Sequence, residues 1–169
     1  HTLYIGSEWK KHFSEVFDTK KWPQDPSIYN NNPSATNPSL APKGHSALMV
    51  LVPVAVGLEE NEDWKKLYAE YIISFLEKNL DIEFAKNIVY QKIFSVSDFS
   101  QRYNSYDGNA LGGMAHTFFQ SAIWRPANKS KRLKNLFFTG AGTVPGIGVP
   151  TSVISGHLIR DRILAADKK

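Results

Sequence analysis

The residues best suited to chemistry lie between Gly140 and Pro150. Gly140-Ala141-Gly142-Thr143-Val144-Pro145-Gly146-Ile147-Gly148-Val149-Pro150 holds four glycines in nine residues, from 140 to 148. Backbone there can approach a ligand without a Cβ in the way. Pro150 stands where a first helical residue is favoured. Val153, Ile154, Leu158, Ile163 and Leu164, with small residues at Ser155 and Gly156, predict a helix over 151–165. Residues 133–139 read as a short strand leading into the turn. Strand, glycine turn and helix start aim free N–H groups and a positive helix end at one place, which is how an anion or a dinucleotide is cradled. The same glycines also suit a tight crossover in a parallel sheet, and the residue pattern alone does not separate the two. The turn is not G-x-G-x-x-G, because position 145 is proline, and no Walker lysine follows.

Other candidates are weaker. Trp124-Arg125-Pro126 offers a cation beside an aromatic face and a rigid bend, and its simplest role is an arginine anchoring a loop by its carbonyls. His1, His12, His45, His116 and His157 are scattered without metal-ligand spacing, so no metal site is expected. Serine and histidine occur without a nucleophile-elbow context. Asp98 and Asp107 read as turn or cap residues. The chain has no cysteine, which excludes disulfides, thiolate catalysis and cysteine metal sites. Lys129, Lys131, Arg132 and Lys134 form the densest basic cluster; a solvated loop is the plain reading, and an anionic membrane surface or nucleic acid the sharper ones. The formal charge of +4 is too mild to choose among them.

The elements that must position these residues alternate in type. Residues 3–5 form a strand candidate, and Ser7 is placed to cap a helix whose face is Trp9, Phe13, Val16 and Phe17. Residues 27–30 suggest a second strand. The segment 31–44 is crowded with Asn, Ser and Pro and must be an ordered turn-rich loop or a linker. The apolar run 47–54 has the length of a strand buried on both faces. Trp64, Leu67, Tyr68, Tyr71, Ile72, Phe75 and Leu76 recur at helical spacing and predict an amphipathic helix over 63–78, its stripe in the core. Residues 88–94 are a further strand candidate, with Ser97 or Asp98 capping a short helix after it. Residues 104–113 show no clear period. An α/β or α+β layer structure, one sheet covered by helices, is expected. No apolar run approaches bilayer-spanning length. The start at His1, with a strand already under way, reads as a piece of a longer chain.

Asn135-Leu136-Phe137-Phe138-Thr139-Gly140-Ala141-Gly142-Thr143, followed by Pro145-Gly146, Gly148, Val149 and Pro150, resembles the C-terminal signature of phytoene desaturases of the bacterial and fungal type. Upstream, Asp25-Pro26-Ser27-Ile28-Tyr29, Pro38-Ser39-Leu40-Ala41-Pro42 with Gly44, and Leu51-Val52-Pro53-Val54 resemble the same family. So do Asp98-Phe99, Tyr106 with Gly108-Asn109-Ala110, and Gln120-Ser121-Ala122 with Trp124-Arg125-Pro126. The likeness covers nearly the whole chain, in the family's order.

The resemblance implies the C-terminal portion of an FAD-dependent phytoene desaturase-like oxidoreductase that introduces double bonds into a carotenoid precursor. Residues 1–134 would belong to the substrate-binding domain, an α/β unit with a mixed sheet and covering helices. Residues 135–169 would return a strand, turn and helix to a Rossmann-like FAD-binding domain. Gly140, Ala141 and Gly142 would lie near the ribityl and pyrophosphate part of FAD, and Gly148, Val149 and Pro150 near the isoalloxazine. No catalytic side chain is identified. A long apolar polyene substrate implies a cytoplasmic protein in peripheral contact with a membrane, whose footprint would be exposed apolar patches flanked by lysine. Three positions depart from the family: Ala141 lacks the acidic group many relatives place there, Val144 replaces a frequent histidine, and Asn37 replaces an aspartate. The alternatives are another FAD-dependent oxidoreductase of that superfamily, retinol saturase-like or amine-oxidase-like, and a non-enzymatic anion-binding domain.

Overall fold

Thr2-Leu3-Tyr4 has the β-branched and aromatic character of a strand and forms one, β1 (Thr2–Tyr4), in a computed structural model that describes residues 1–111 and 124–166. It pairs antiparallel with β2 (Ile28–Asn31), Leu3 opposite Tyr29, and β2 pairs antiparallel with β3 (Met49–Leu51), Asn30 opposite Val50. The order is β1-β2-β3, antiparallel throughout among the described residues, where a mixed sheet was expected. Ile28 and Asn30 on alternate positions of β2 are buried, as a half-covered strand requires. The chain divides into two compact units, His1–Leu58 and Glu59–Lys169. The domain division expected from the sequence, at 134/135, falls inside the second unit.

In the first unit a helix, α1 (Trp9–Phe17), follows β1, but its expected cap is wrong. Ser7 makes no cap; its hydroxyl donates to Asp25 Oδ2 at 3.0 Å, and the same oxygen accepts the Glu8 N–H at 2.8 Å. A carboxylate distant in sequence thus serves the helix start, where negative charge is favoured. His12 is buried, taking the Ser27 N–H on Nδ1 at 2.8 Å and reaching the Pro53 carbonyl from Nε2 at 3.1 Å. A carbonyl only accepts, so Nε2 carries the proton. The segment 31–44 is ordered by two single turns capped by asparagine side chains: Asn32 Oδ1 accepts from Ala35 N at 3.1 Å, and Asn37 Oδ1 from Ser39 N at 3.2 Å. Asn37 therefore keeps the turn-forming role of an aspartate. The run 47–54 is not a doubly buried strand. Only Met49–Leu51 is strand, at a sheet edge, and all three residues are exposed.

The second unit opens on α2 (Glu62–Leu80), close to the expected bounds. Asn61 caps it by accepting the Trp64 N–H at 2.8 Å, Glu62 and Asp63 sit in the first turn and Lys78 in the last, all with the favourable dipole sign. Its stripe is only partly core: Ile72 and Leu76 are buried, whereas Trp64, Leu67 and Tyr71 are exposed. The strand expected at 88–94 is absent. Val89 and Tyr90 are exposed, and no neighbouring strand among the described residues offers a ladder partner.

Next comes α3 (Val96–Tyr103), capped by Ser95 rather than Ser97 or Asp98. Asp98 Oδ2 reaches back to the Ser95 N–H at 2.9 Å, and Glu60 accepts from Ser95 Oγ at 2.6 Å and Ser97 N at 2.7 Å. Asp107 lies in a turn with φ 49°, in keeping with a turn residue. Gly112, Gly113, His116 and the Gln120-Ser121-Ala122 segment lie outside the described residues. The final helix is α4 (Val149–Ala166), whose Val149, Val153, Ile154, Leu158, Ile163 and Leu164 are all exposed, while Ser155 is buried. No described helix is long and apolar enough to cross a membrane.

Candidate functional site

The glycine turn is built from three approaches. The first is a hairpin rather than the expected strand 133–139: Lys129 and Phe137 form an isolated antiparallel bridge, Phe138 N–H donates to Asn128 O at 2.8 Å and Ser130 N–H to Leu136 O at 3.0 Å. A strand needs a continuous ladder, and no other strand of the described residues lies alongside. Phe138 then delivers the chain into Gly140.

The second approach is Arg125 and Pro126. Arg125 Nη1 donates to the Ala141 carbonyl at 2.5 Å, so it is a loop anchor, as its residue type suggested. The Pro126 carbonyl accepts from Thr143 Oγ1 at 2.6 Å and from the Val144 N–H at 3.2 Å. The Val144–Pro145 peptide is cis.

At the centre is Asn128, fully buried. Its Nδ2 donates to the Val144 carbonyl at 2.7 Å and to Thr143 Oγ1 at 3.2 Å, with the Phe138 carbonyl at 3.3 Å, and its Oδ1 accepts from Arg162 Nη1 at 3.1 Å. A guanidinium only donates and a carbonyl only accepts, so the amide has one admissible orientation.

The third approach is α4. Gly148 O accepts the first helical bond, from Ser152 N–H at 2.9 Å, and the Thr151 hydroxyl at 2.9 Å. Gly148 has φ +120° and Gly146 φ +125°, regions in which a side chain is strained. One turn on, the buried Ser155 ties helix to turn: its Oγ accepts the Gly140 N–H at 2.7 Å, lies 2.9 Å from Thr139 Oγ1 and donates to Ser152 O at 2.7 Å. Ser155→Ala removes the acceptor for Gly140. It is expected to cost about 1–3 kcal/mol and to speed amide hydrogen exchange at Gly140 while leaving α2 unaffected.

Ala141, Gly148 and Val149 come together with Ile147, Ser152, Val153, Ala110 and Leu111 as the lining of a shallow, largely apolar groove at the N-terminus of α4. Gly140, Gly142 and Pro150 flank it without being among its lining residues. The Gly140 amide is already engaged by Ser155, whereas a Cβ built on Gly140 meets nothing within 4 Å, so its outer face is open. Among the described residues its lining has no carboxylate, histidine or cysteine. A positive helix end lies on one side and apolar walls around it. Asn128 is not among the residues the sequence singled out, Thr143 was named only as part of the turn, and Ser155 stood out only for its size; a lone Asn before a basic cluster carries no motif. His12 is a buried structural histidine, and His157 is exposed on α4. Among the described residues no three His, Asp or Glu are grouped as a metal site.

Fold and groove thus give a mixed α/β chain with an apolar-walled groove at a glycine turn and helix start. No protein-family model matches the chain. Among curated proteins it is 46% identical to a carotenoid 3,4-desaturase of Haloarcula japonica, over 93% of this chain and 32% of that one. It is 35% identical to a 4,4'-diapolycopen-4-al dehydrogenase of Metabacillus indicus, over 98% and 33%. With a neurosporene-forming phytoene desaturase of Rhodobacter capsulatus the identity is 34%, over 99% and 33%. The chain belongs to the carotenoid and phytoene desaturase family, and it spans about a third of the length of the relatives it matches.

Proposed function

We propose that this chain is the C-terminal portion of an FAD-dependent desaturase that introduces double bonds into a long apolar carotenoid precursor, working at a cytoplasmic membrane surface. The reading takes residues 1–134 as part of the substrate-binding domain and 135–169 as the segment returning to the FAD-binding domain. The observation that carries it is the meeting of Ala141, Gly148 and Val149 in one apolar groove at the start of α4, within a chain whose relatives are named as carotenoid-acting enzymes.

The residues present fit a flavin as one wall of its site. Gly140 leaves an open outer face that a Cβ would occupy, and Gly148 holds a backbone geometry natural to glycine. Gly140, Ala141, Gly142, Gly148, Val149 and Pro150 would hold the cofactor. FAD, when bound, supplies the hydride-accepting chemistry. This chain's own contribution is positional. Arg125 holds the Ala141 carbonyl, Ser155 holds the Gly140 amide, and the N-terminus of α4 offers positive potential where negative charge develops. Ile147, Val149 and Val153 supply apolar walls that exclude water. Ala141 has no acidic group, so recognition rests on backbone and helix end.

The test is the visible spectrum of the full-length protein. A flavin spectrum, with conversion of phytoene or a shorter polyene to a coloured product, is expected; protein that stays colourless and cannot be reconstituted with FAD would overturn the proposal. The isolated chain is expected to bind FAD weakly or not at all, because the primary phosphate turn is not in its sequence. Tight FAD binding by this chain alone contradicts its reading as half a site.

A further inference from the structure

No Asp or Glu occurs between Asp107 and Asp161, while Arg125, Lys129, Lys131, Arg132, Lys134 and Arg160 all lie in that interval. Four of these six cations are on the hairpin 128–138, which the groove does not use. Its base is fixed by the buried Asn128, and its tip is ordered too: Ser130 Oγ accepts the N–H groups of Arg132 and Leu133, both at 3.1 Å. The backbone is therefore rigid while its side chains point outward. Lys131, Arg132, Leu133 and Lys134 are all exposed, Leu133 by 55%. Leu136 and Phe138 are exposed behind the tip, and the Lys129 ammonium lies over the Phe137 ring at 5.5 Å from its centre. Among the described residues none of Lys131, Arg132 and Lys134 has a carboxylate partner.

A leucine held at the tip of a rigid hairpin, ringed by three unpaired cations, matches the interface of an anionic bilayer. The leucine enters the acyl boundary while the cations stay at headgroup level. Nucleic acid is the other polyanion, but it leaves Leu133 in water, and the tip offers no aromatic face for a base to stack on. We propose that the hairpin 128–138 is the element by which the protein docks on anionic lipid. The inference specifies the partner in the membrane contact proposed above and rests on that reading for the membrane itself.

The experiment is co-sedimentation of the full-length protein with vesicles of phosphatidylcholine alone or mixed with phosphatidylglycerol, at low and high salt. The wild type is expected to bind the mixed vesicles and to be released by salt. The combined Lys131→Gln, Arg132→Gln and Lys134→Gln variant is expected to bind them about a hundredfold more weakly. Leu133→Ser is expected to bind about tenfold more weakly. Both variants are expected to keep wild-type flavin content and polyene turnover in detergent, so loss of docking is separable from loss of the flavin site. Unchanged vesicle binding by the triple variant overturns the proposal. So does equal binding to neutral vesicles, or a single-stranded oligonucleotide binding that is indifferent to Leu133→Ser while vesicles are ignored.

Discussion

Asn128→Leu is expected to destabilise the second unit by about 2–3 kcal/mol, because it takes a partner from the buried Thr143 hydroxyl and from part-buried groups of Val144, Phe138 and Arg162 at once. The two side chains share a branched skeleton of equal heavy-atom count, but the leucine methyls are bulkier, so overpacking adds to the lost hydrogen bonds. The Val144 carbonyl loses a 2.7 Å donor, the Thr143 hydroxyl and the Phe138 carbonyl lose the same donor, and Arg162 loses its acceptor, all around a residue with no solvent exposure. Asn128→Asp is the sharper version. It improves the pairing with Arg162 but turns a carboxylate oxygen toward the Val144 and Phe138 carbonyls, where a donor is required. It is expected to be as damaging as leucine. Urea unfolding, with amide exchange read at Phe138 and Val144, measures both. A change below about 1 kcal/mol in both variants would show that the network does not hold the turn. Asn128 joins the hairpin, the turn and α4, so on the function proposed above both variants of the full-length protein are also expected to hold FAD less tightly.

The second large effect belongs to Lys65, which is 6% exposed and pairs with Glu62 at 2.7 Å and Asp98 at 2.9 Å. Breaking a buried pair by removing one partner leaves an uncompensated charge. Glu62 is largely exposed and needs little compensation, so Lys65→Met is expected to cost about 2–3 kcal/mol, short of a fully buried case. Adding Asp98→Asn is expected to restore part of the loss, since the amide oxygen still accepts the Ser95 N–H and the half-buried carboxylate no longer lacks its cation.

The pH dependence follows from the same groups. Burial pulls the Lys65 pKa down, and its hydrogen bonds to the Glu62 and Asp98 carboxylates, with their charges, more than reverse this, so it ends raised. Burial pushes Asp98 up, and the Ser95 N–H and Lys65 outweigh it, so it ends lowered. The depressed carboxyl stabilises fully above its unfolded pKa near 3.9, and that contribution is lost as pH falls through the lower folded value. The raised amine stabilises fully below about 10.4 and is lost as pH rises through its folded value. Wild type is therefore expected to lose stability at both extremes more steeply than Lys65→Met. Parallel pH profiles for the two would contradict the assignment.

Features legible from the residues alone depend on neighbours three and four apart, or on a run of unusual residues. The helix expected over 63–78 is α2, because its periodicity, the Asn61 cap and the charges at its ends all act within one turn. The helix after Pro150 is α4 for the same reason. The four glycines marked the turn, and its flanking residues carried the family likeness. Tertiary structure decided the rest. Residues 47–54, 88–94 and 133–139 have strand composition, yet a ladder bond comes from a distant segment, and the described chain supplies one only for Met49–Leu51 and the Phe137 bridge. Caps also moved: Asp25 serves α1 in place of Ser7, and Glu60 joins Ser95 at α3, because a carboxylate need only be near in space. Least legible were Asn128 and Ser155. A buried polar residue gains its role from the groups it satisfies, and those lie up to 34 residues away, at Arg162.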